Sequence, residues 1–394
     1  MSESATATVL TPDVERVSQE IVRLLIPHRR TVEPDTHLDK PDDFPEQLRQ
    51  IADFVGKNEQ VIFSLPGFPC KSPNTDKVFG HLPDHGERLA LRFLDSLCAE
   101  IGKVYAPGAR VLICSDGHIF GDVIRVPDEH IDAYNDALLD MIHAEGLADH
   151  LDCFDLRDCY GPDLSYDEKR QKAAVTLGPT LEELRAEVRE DEASLRMYRG
   201  ITRFLVEDTA GWEGSRSALQ RDCRRRAYEV ILRSRAWSEL IAESYPRNVR
   251  LSIHPQNRGS VKFGIRLLGA ADAWTTPWHS VLLHRADGTW ELMHRREAEK
   301  LGREVHQDGR PSHFEAFTDG TGDGEARTDA SAGARTDASA GARTDARAGA
   351  RTDASAGART DARAGAGAGS EVRTGAGSDL RTGADPAART VAAA

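Results

Sequence analysis

The run Val61-Ile62-Phe63-Ser64-Leu65-Pro66-Gly67-Phe68-Pro69-Cys70-Lys71-Ser72-Pro73-Asn74-Thr75-Asp76-Lys77 passes from a short apolar stretch into a loop. Val61–Phe63 is continuous and apolar, the pattern of a strand buried on both faces. Three prolines and a glycine then bar any helix or regular strand. A stiff loop carrying Lys71, Asn74 and Lys77 at a strand end is a natural ligand site in an α/β protein. Two ammonium groups and an amide suit an anionic, oxygen-rich ligand such as a sugar phosphate. A solvated surface loop would carry scattered lysines too, so this stretch alone leaves both readings open.

Working outward, helical spacing marks residues 12–29, 89–101 and 131–147, while Val111–Cys114 and Leu151–Leu156 continue the strand pattern of Val61–Leu65. Strand, helix, strand, helix, strand at this spacing predicts a Rossmann-like α/β fold: a parallel sheet with flanking helices. Two long helices are expected at about Thr180–Leu205 and Ser215–Ser244. A C-terminal α+β portion follows, with β-like segments Val249–Ile253, Lys262–Leu268, Ser280–His284 and Thr289–Met293. Ala286-Asp287-Gly288 is a hairpin turn signal.

From about Glu325 to Ala364 an eight-residue unit, Gly-Ala-Arg-Thr-Asp-Ala-Ser/Arg-Ala, repeats in tandem. Each unit offers a core only alanine, too little apolar surface to offset backbone entropy. The expected organisation is an N-terminal helical segment (1–50), a catalytic α/β domain (51–317) and a disordered low-complexity tail (318–394). The net charge of −13 argues against a non-specific nucleic-acid binder. No apolar run approaches membrane-spanning length and no signal peptide is visible, so a cytoplasmic protein is expected. Six cysteines without CxxC spacing read as reduced thiols.

Three further clusters can carry chemistry. Ser115-Asp116-Gly117-His118-Ile119-Phe120-Gly121-Asp122 directly follows the second strand, and its two glycines permit a sharp turn that would let Asp116, His118 and Asp122 converge. Carboxylate plus imidazole is the usual equipment for proton transfer near neutral pH. Arg250-Leu-Ser-Ile-His254-Pro-Gln places Arg250, Ser252 and His254 on one strand face, with Lys262 following. Thr276-Pro-Trp-His279 adds another imidazole. Two H-x-D matches, His130-Ile-Asp132 and His150-Leu-Asp152, fit part of a non-haem iron site but lie at helix or strand starts of the α/β half. G-x-G-x-x-G, P-loop, G-x-S-x-G and H-E-x-x-H are all missing, so nicotinamide, NTP and common hydrolase chemistry lack support.

Taken together, the blocks Ser64–Val78, Leu82–Leu91, Ile113–Asp122, Val126–Tyr134, Arg250–Gln256, Lys262–Ile265 and Thr276–His279 resemble the pyoverdine/dityrosine biosynthesis family, the isocyanide (isonitrile) synthases. The resemblance runs from about Ile51 to Leu292; family members often carry arginine at the position of His118. It implies a cofactor-free, metal-free reaction joining the amino group of tyrosine or tryptophan to C2 of ribulose 5-phosphate. Loss of water, phosphate and carbon fragments then leaves C2 as the isonitrile carbon. It implies Lys71, Asn74 and Lys77 on the sugar phosphate, with Lys262 as the other phosphate candidate. Asp116, His118 and Asp122 would transfer protons, Arg250 would pair with the amino-acid carboxylate, and His254 and His279 would be second acid/base groups. The partners implied are small molecules and a downstream isonitrile-modifying oxygenase, with no nucleic acid or membrane. A non-catalytic sugar-phosphate-binding regulator and an Fe(II)-dependent oxygenase are the competing classes.

Overall fold

The computed structural model describes residues 11–31, 37–270 and 275–317. The described residues all belong to one compact unit. The repeat tail expected to be disordered lies outside the described residues.

The chain opens with α1 (Pro12–Leu25) and α2 (Pro45–Val55), then β1 (Val61–Pro66), α3 (His85–Val104) and β2 (Ala109–Cys114). Next come α4 (Gly117–Ile124), α5 (Asp128–Ala144) and β3 (Leu151–Phe154). Four helices follow: α6 (Tyr166–Leu177), α7 (Leu181–Glu190), α8 (Glu192–Asp208) and α9 (Arg216–Ser244). β4 (Val249–Ser252) and β5 (Phe263–Gly264) return to the first sheet. β6 (Val281–His284), β7 (Trp290–Met293), α10 (Arg295–Leu301), β8 (Gly302–Gln307) and β9 (Arg310–Ala316) complete the described chain.

The first sheet is parallel throughout, in the order β3-β2-β1-β4-β5. The chain builds outward from β1 to β3, then crosses back to lay β4 on the other side of β1. That reversal opens a crevice at the carboxyl ends of β1 and β4, where open α/β sheets bind ligands. The second sheet, β7-β6-β9-β8, is mostly antiparallel. Its β6–β7 hairpin turns at Ala286-Asp287-Gly288, with Gly288 at φ +81°.

The two faces of the first sheet differ. On one, Phe63, Leu65, Val111, Ile113, Val249, Leu251 and Phe263 share a core with Ile21, Ile51, Leu94 and Leu138 from α1, α2, α3 and α5. The N-terminal helices thus pack into the same core as the strands. On the other, α9 covers only part of the sheet: Trp237, Leu240 and Ile241 pack on Leu112, Cys114 and Phe154 of β2 and β3. The rest of that face is polar. Ser64 of β1 lies beside Arg250 of β4, and Arg250 precedes the Leu251–Phe263 pair exactly as Lys262 does, which puts both cations on one face.

The long helix expected over 180–205 is broken. Asp191 leaves helical geometry (φ −109°, ψ 123°) and caps α8 by accepting a hydrogen bond from the Ser194 amide. All six cysteines are free thiols, five of them buried.

Candidate functional site

Strand β1 ends at Pro66, and the loop beyond it turns through Phe68, a non-glycine residue at φ +53°. Such a conformation costs energy, and burial of the Phe68 ring against Trp278, 5.0 Å between centroids, helps hold it. The loop is further tied to β2 by Ser115 Oγ, which donates to the Phe68 carbonyl at 3.0 Å.

Asp116 follows β2 and stands at the N-cap of α4, yet its side chain makes no capping hydrogen bond. Among the described residues no cation pairs with it. The carboxyl is half-buried among protein atoms, and this burial raises its pKa to about 7, opposed only by its own backbone amide. It can therefore both accept and return a proton near neutral pH.

The other two members of the expected trio do not join it. The segment after Asp116 is a helix, not a sharp turn, and neither Gly117 nor Gly121 has positive φ. The glycines serve close approach instead: a Cβ on Gly117 would lie 1.9 Å from the Pro69 carbonyl oxygen, and one on Gly121 would lie 2.8 Å from Ile131 Cδ1. Gly117→Ala is accordingly expected to destabilise the protein by about 3 kcal/mol or more through overpacking against backbone. Denaturant unfolding checks this; an alanine variant within about 1 kcal/mol of the parent would contradict the packing.

His118 is fully buried, its ring stacked on Tyr166 at 4.1 Å, with Asp132 Oδ1 at 3.1 Å from Nε2. Asp122 forms a two-pronged ion pair with Arg233 of α9, and Arg170 lies 3.6 Å away. Burial acts against the Asp122 charge, but these guanidinium partners prevail and lower its pKa. Because 44% of the Asp122 side chain is exposed, we expect Asp122→Asn to leave turnover within a few-fold of the parent. Steady-state rates test this, and a loss above about 10²-fold would return Asp122 to the chemistry.

The lysines of the β1 loop are also committed elsewhere. Lys71 is fully buried, with Nζ 2.7 Å from Asp84, 2.8 Å from Glu87 and donating to the Pro277 carbonyl at 3.0 Å. Burial disfavours its charge, but the two carboxylates more than offset that, and its pKa is raised. Lys77 pairs with Asp208 of α8 at 2.9 Å, and the same carboxylate oxygen accepts from Ser72 Oγ at 2.6 Å. Asn74 organises the loop, donating to the Glu207 carbonyl and accepting from the Asp76 amide.

Of the cations expected at the site, Arg250 and Lys262 have no carboxylate partner among the described residues. Arg250 donates to Ser238 Oγ of α9 at 3.1 Å, and its charge, after burial, is what lowers the pKa of Lys262. Two half-buried like charges that repel each other favour an anion between them.

His254 follows β4. Its side chain is exposed, and the surrounding protein atoms first, then the charges of Arg30 and Lys262, act to lower its pKa. His279 sits on the turn after Thr276, with Nδ1 3.2 Å from Thr276 Oγ1 and its ring edge-on to Phe204 at 5.0 Å. Burial lowers its pKa to about 4, with Asp208 opposing and Lys77, Lys71 and His254 adding to the fall. His254, exposed just past β4, and His279, half-buried on the 275–280 turn, are near enough for the charge of His254 to act on His279. Both imidazoles are neutral at pH 7, so each can accept a proton.

Sequence reasoning missed Asp208 and Phe204. They close a helix more than a hundred residues from the loop they touch, and nothing local distinguishes them. The two H-x-D matches hold no common centre: His150 pairs with Asp95 at 2.7 Å, and His130 stacks on His81 at 4.3 Å. Among the described residues three ligand-type side chains come within mutual reach at His37, Asp39 and Asp43, where Asp39 is already paired with Arg29 and Arg258. No described helix is long and apolar enough to cross a membrane.

An uncapped carboxyl, imidazoles and cations beyond the strands that flank β1 are the side-chain types of acid/base chemistry on an anionic substrate. Residues 51–306 match the model of the pyoverdine/dityrosine biosynthesis protein family, and the chain belongs to that family. An L-tryptophan isonitrile synthase of Fischerella ambigua is 44% identical over 305 residues, 76% of this chain and 91% of that protein. An L-tyrosine isonitrile synthase of Pseudomonas aeruginosa is 46% identical over 274 residues, 68% of this chain and 83% of that one. The crystal structure of the PvcA protein of Pseudomonas aeruginosa superimposes with a TM-score of 0.71 at 40% identity, covering 76% of this chain and all of that one.

Proposed function

We propose that this chain is an isonitrile synthase that converts the α-amino group of an aromatic amino acid, tyrosine or tryptophan, using ribulose 5-phosphate as carbon donor. The reading is supported by where the sheet order places the groups: Asp116 lies two residues beyond β2 and Arg250 lies on β4, the two strands that flank β1, and neither forms an ion pair among the described residues. Relatives named for tyrosine and for tryptophan match this chain about equally well, so overall identity favours neither amino acid.

In this reading Arg250 and Lys262 hold the sugar phosphate. Two cations balance a phosphate dianion, whereas a lone carboxylate would leave one of them unmatched. Binding also removes their mutual repulsion. Asp116 takes the proton that must leave the substrate amine or the C2 adduct, and returns one when water departs. His254 and His279, neutral at working pH, accept the later protons that drive elimination of phosphate.

Lys71, Lys77 and Asn74, which the resemblance assigns to the phosphate, act here as scaffold. The direct test is thermal melting with inorganic phosphate. Phosphate should raise the melting temperature of the parent but not of the Arg250→Met/Lys262→Met variant. An equal rise in both would move the phosphate site elsewhere. Activity is read with ribulose 5-phosphate and each aromatic amino acid, with mass detection of the isonitrile acid. Consumption of the amino acid without that product would overturn the proposed reaction.

A further inference from the structure

We infer that Lys71 is a positioning residue: it holds the Thr276–His279 turn in the register that sets the orientation of the half-buried His279 imidazole and leaves its Nε2 edge for a substrate. This rests on the assignment of His279 as an acid/base group.

The geometry is specific. The Lys71 side chain leaves the β1 loop, runs through the core and donates to the Pro277 carbonyl at 3.0 Å. The next residue adds a backbone bond, from the Ser72 amide to the Trp278 carbonyl at 2.9 Å. Two consecutive carbonyls of the turn are therefore fixed by two consecutive residues of the loop. Within the turn, Ser280 Oγ donates to the Thr276 carbonyl at 2.6 Å, and Thr276 Oγ1 lies 3.2 Å from His279 Nδ1. With Nδ1 engaged by threonine, Nε2 is the ring nitrogen left for a substrate.

Lys71 is itself held from the other side. Asp84 and Glu87 bracket its ammonium at 2.7 and 2.8 Å. Asp84 also caps α3 by accepting from the Gly86 amide, and Glu87 receives the Asp84 amide and the Tyr134 hydroxyl. The ammonium thus links the rigid start of α3 to the turn that carries His279. A lysine free to bind phosphate would not be fully buried between two carboxylates, where burial is tolerated only because the partners are in place. The length of the side chain matters too: the planar fork of arginine would not fit the same three acceptors.

Lys71→Met alone leaves two carboxylates uncompensated in the core and endangers folding. The informative protein is Lys71→Met/Asp84→Asn, which keeps the cluster at one net negative charge and retains an oxygen to cap α3. We expect it to fold, to lose turnover about 10²-fold, and to keep its KM for both substrates within a few-fold. In a His279→Gln background the same pair of changes should cost almost nothing more, because the group it positions is already gone. The His279 ring resonances in the nitrogen-15 NMR spectrum should shift and broaden in the double variant, a readout that does not depend on activity.

Unchanged ring resonances would overturn the inference. So would a rise in the KM for ribulose 5-phosphate at constant kcat, which would make Lys71 a phosphate ligand. Full activity of His279→Gln alone would instead remove His279 from the chemistry, while the NMR shift would still report whether Lys71 holds the turn.

Discussion

Asp116→Asn should lower isonitrile formation by about 10²–10⁴-fold, the range that a positioned acid/base group contributes. The amide matches the carboxylate in shape but cannot take a proton. Since the Asp116 side chain does not cap α4 and forms no ion pair among the described residues, and asparagine Oδ1 can still accept from the residue's own backbone amide, the substitution should leave the fold's contacts in place. The stability effect has a definite sign. In the unfolded chain this aspartate would titrate near its usual value of about 3.9. In the folded protein burial raises it to about 7. The cost of keeping the ionised form buried is absent at low pH, grows between those two values and is complete above the higher one. Asparagine carries no such cost. The variant should therefore melt at a higher temperature than the parent at pH 8 and at the same temperature near pH 3. In the parent, kcat/KM should rise with pH through about 7, and that limb should vanish from any residual activity of the variant. A variant that turns over within a few-fold of the parent would make Asp116 scaffold and leave His254 as the leading base.

The second large effect is expected at the cationic pair. Losing a charged hydrogen bond to phosphate costs about 1.5–3 kcal/mol, so Arg250→Met or Lys262→Met should each raise the KM for ribulose 5-phosphate roughly 10- to 150-fold. The KM for the amino acid should hardly change. Each single variant also removes one of two repelling charges from a half-buried position, so the unliganded protein should be no less stable than the parent. Separate saturation curves for the two substrates test this. If the amino-acid KM rises instead, Arg250 holds the carboxylate, as the family resemblance suggests.

The parts of the fold most visible in the sequence are those buried on both sides. Val111–Cys114 of β2 is a continuous apolar run because helices cover the sheet on both faces there, and Val61–Phe63 of β1 is one because its inward residues join the larger core. α6 shows no stripe because its inward face consists of Ala173 and the stems of Lys169 and Arg170. Its capping box, Ser165 with Glu168, was the one local signal available. β8 and β9 were hidden because their segment is mostly polar, with Phe314 buried in the small core beneath the second sheet and Ala316 at its edge. The break at Asp191 follows from one backbone conformation that helical periodicity does not record.

The site divides along similar lines. Asp116, Arg250 and His254 are strand-end residues, and a parallel-sheet reading places strand ends at the crevice. What no local pattern reveals is how a charge is spent. Lys71 and Arg250 look equally available as residues, yet Lys71 meets Asp84 and Glu87 in the core while Arg250 meets no acid. Likewise His118 and Asp122 follow Asp116 closely in sequence, but a helix starting at Gly117 carries them toward α5, α6 and α9.

The most direct test of the proposed function is isotopic. Ribulose 5-phosphate labelled with carbon-13 at C2 should be supplied with tyrosine or tryptophan to the purified protein, and the product analysed by mass spectrometry and carbon NMR. The account predicts one labelled carbon in an isonitrile group attached to the nitrogen of the amino acid, with phosphate released in equal amount. An isonitrile without label would show that the carbon comes from another donor. The absence of any isonitrile with either amino acid, from a folded protein whose phosphate site is occupied, would contradict the proposed function itself.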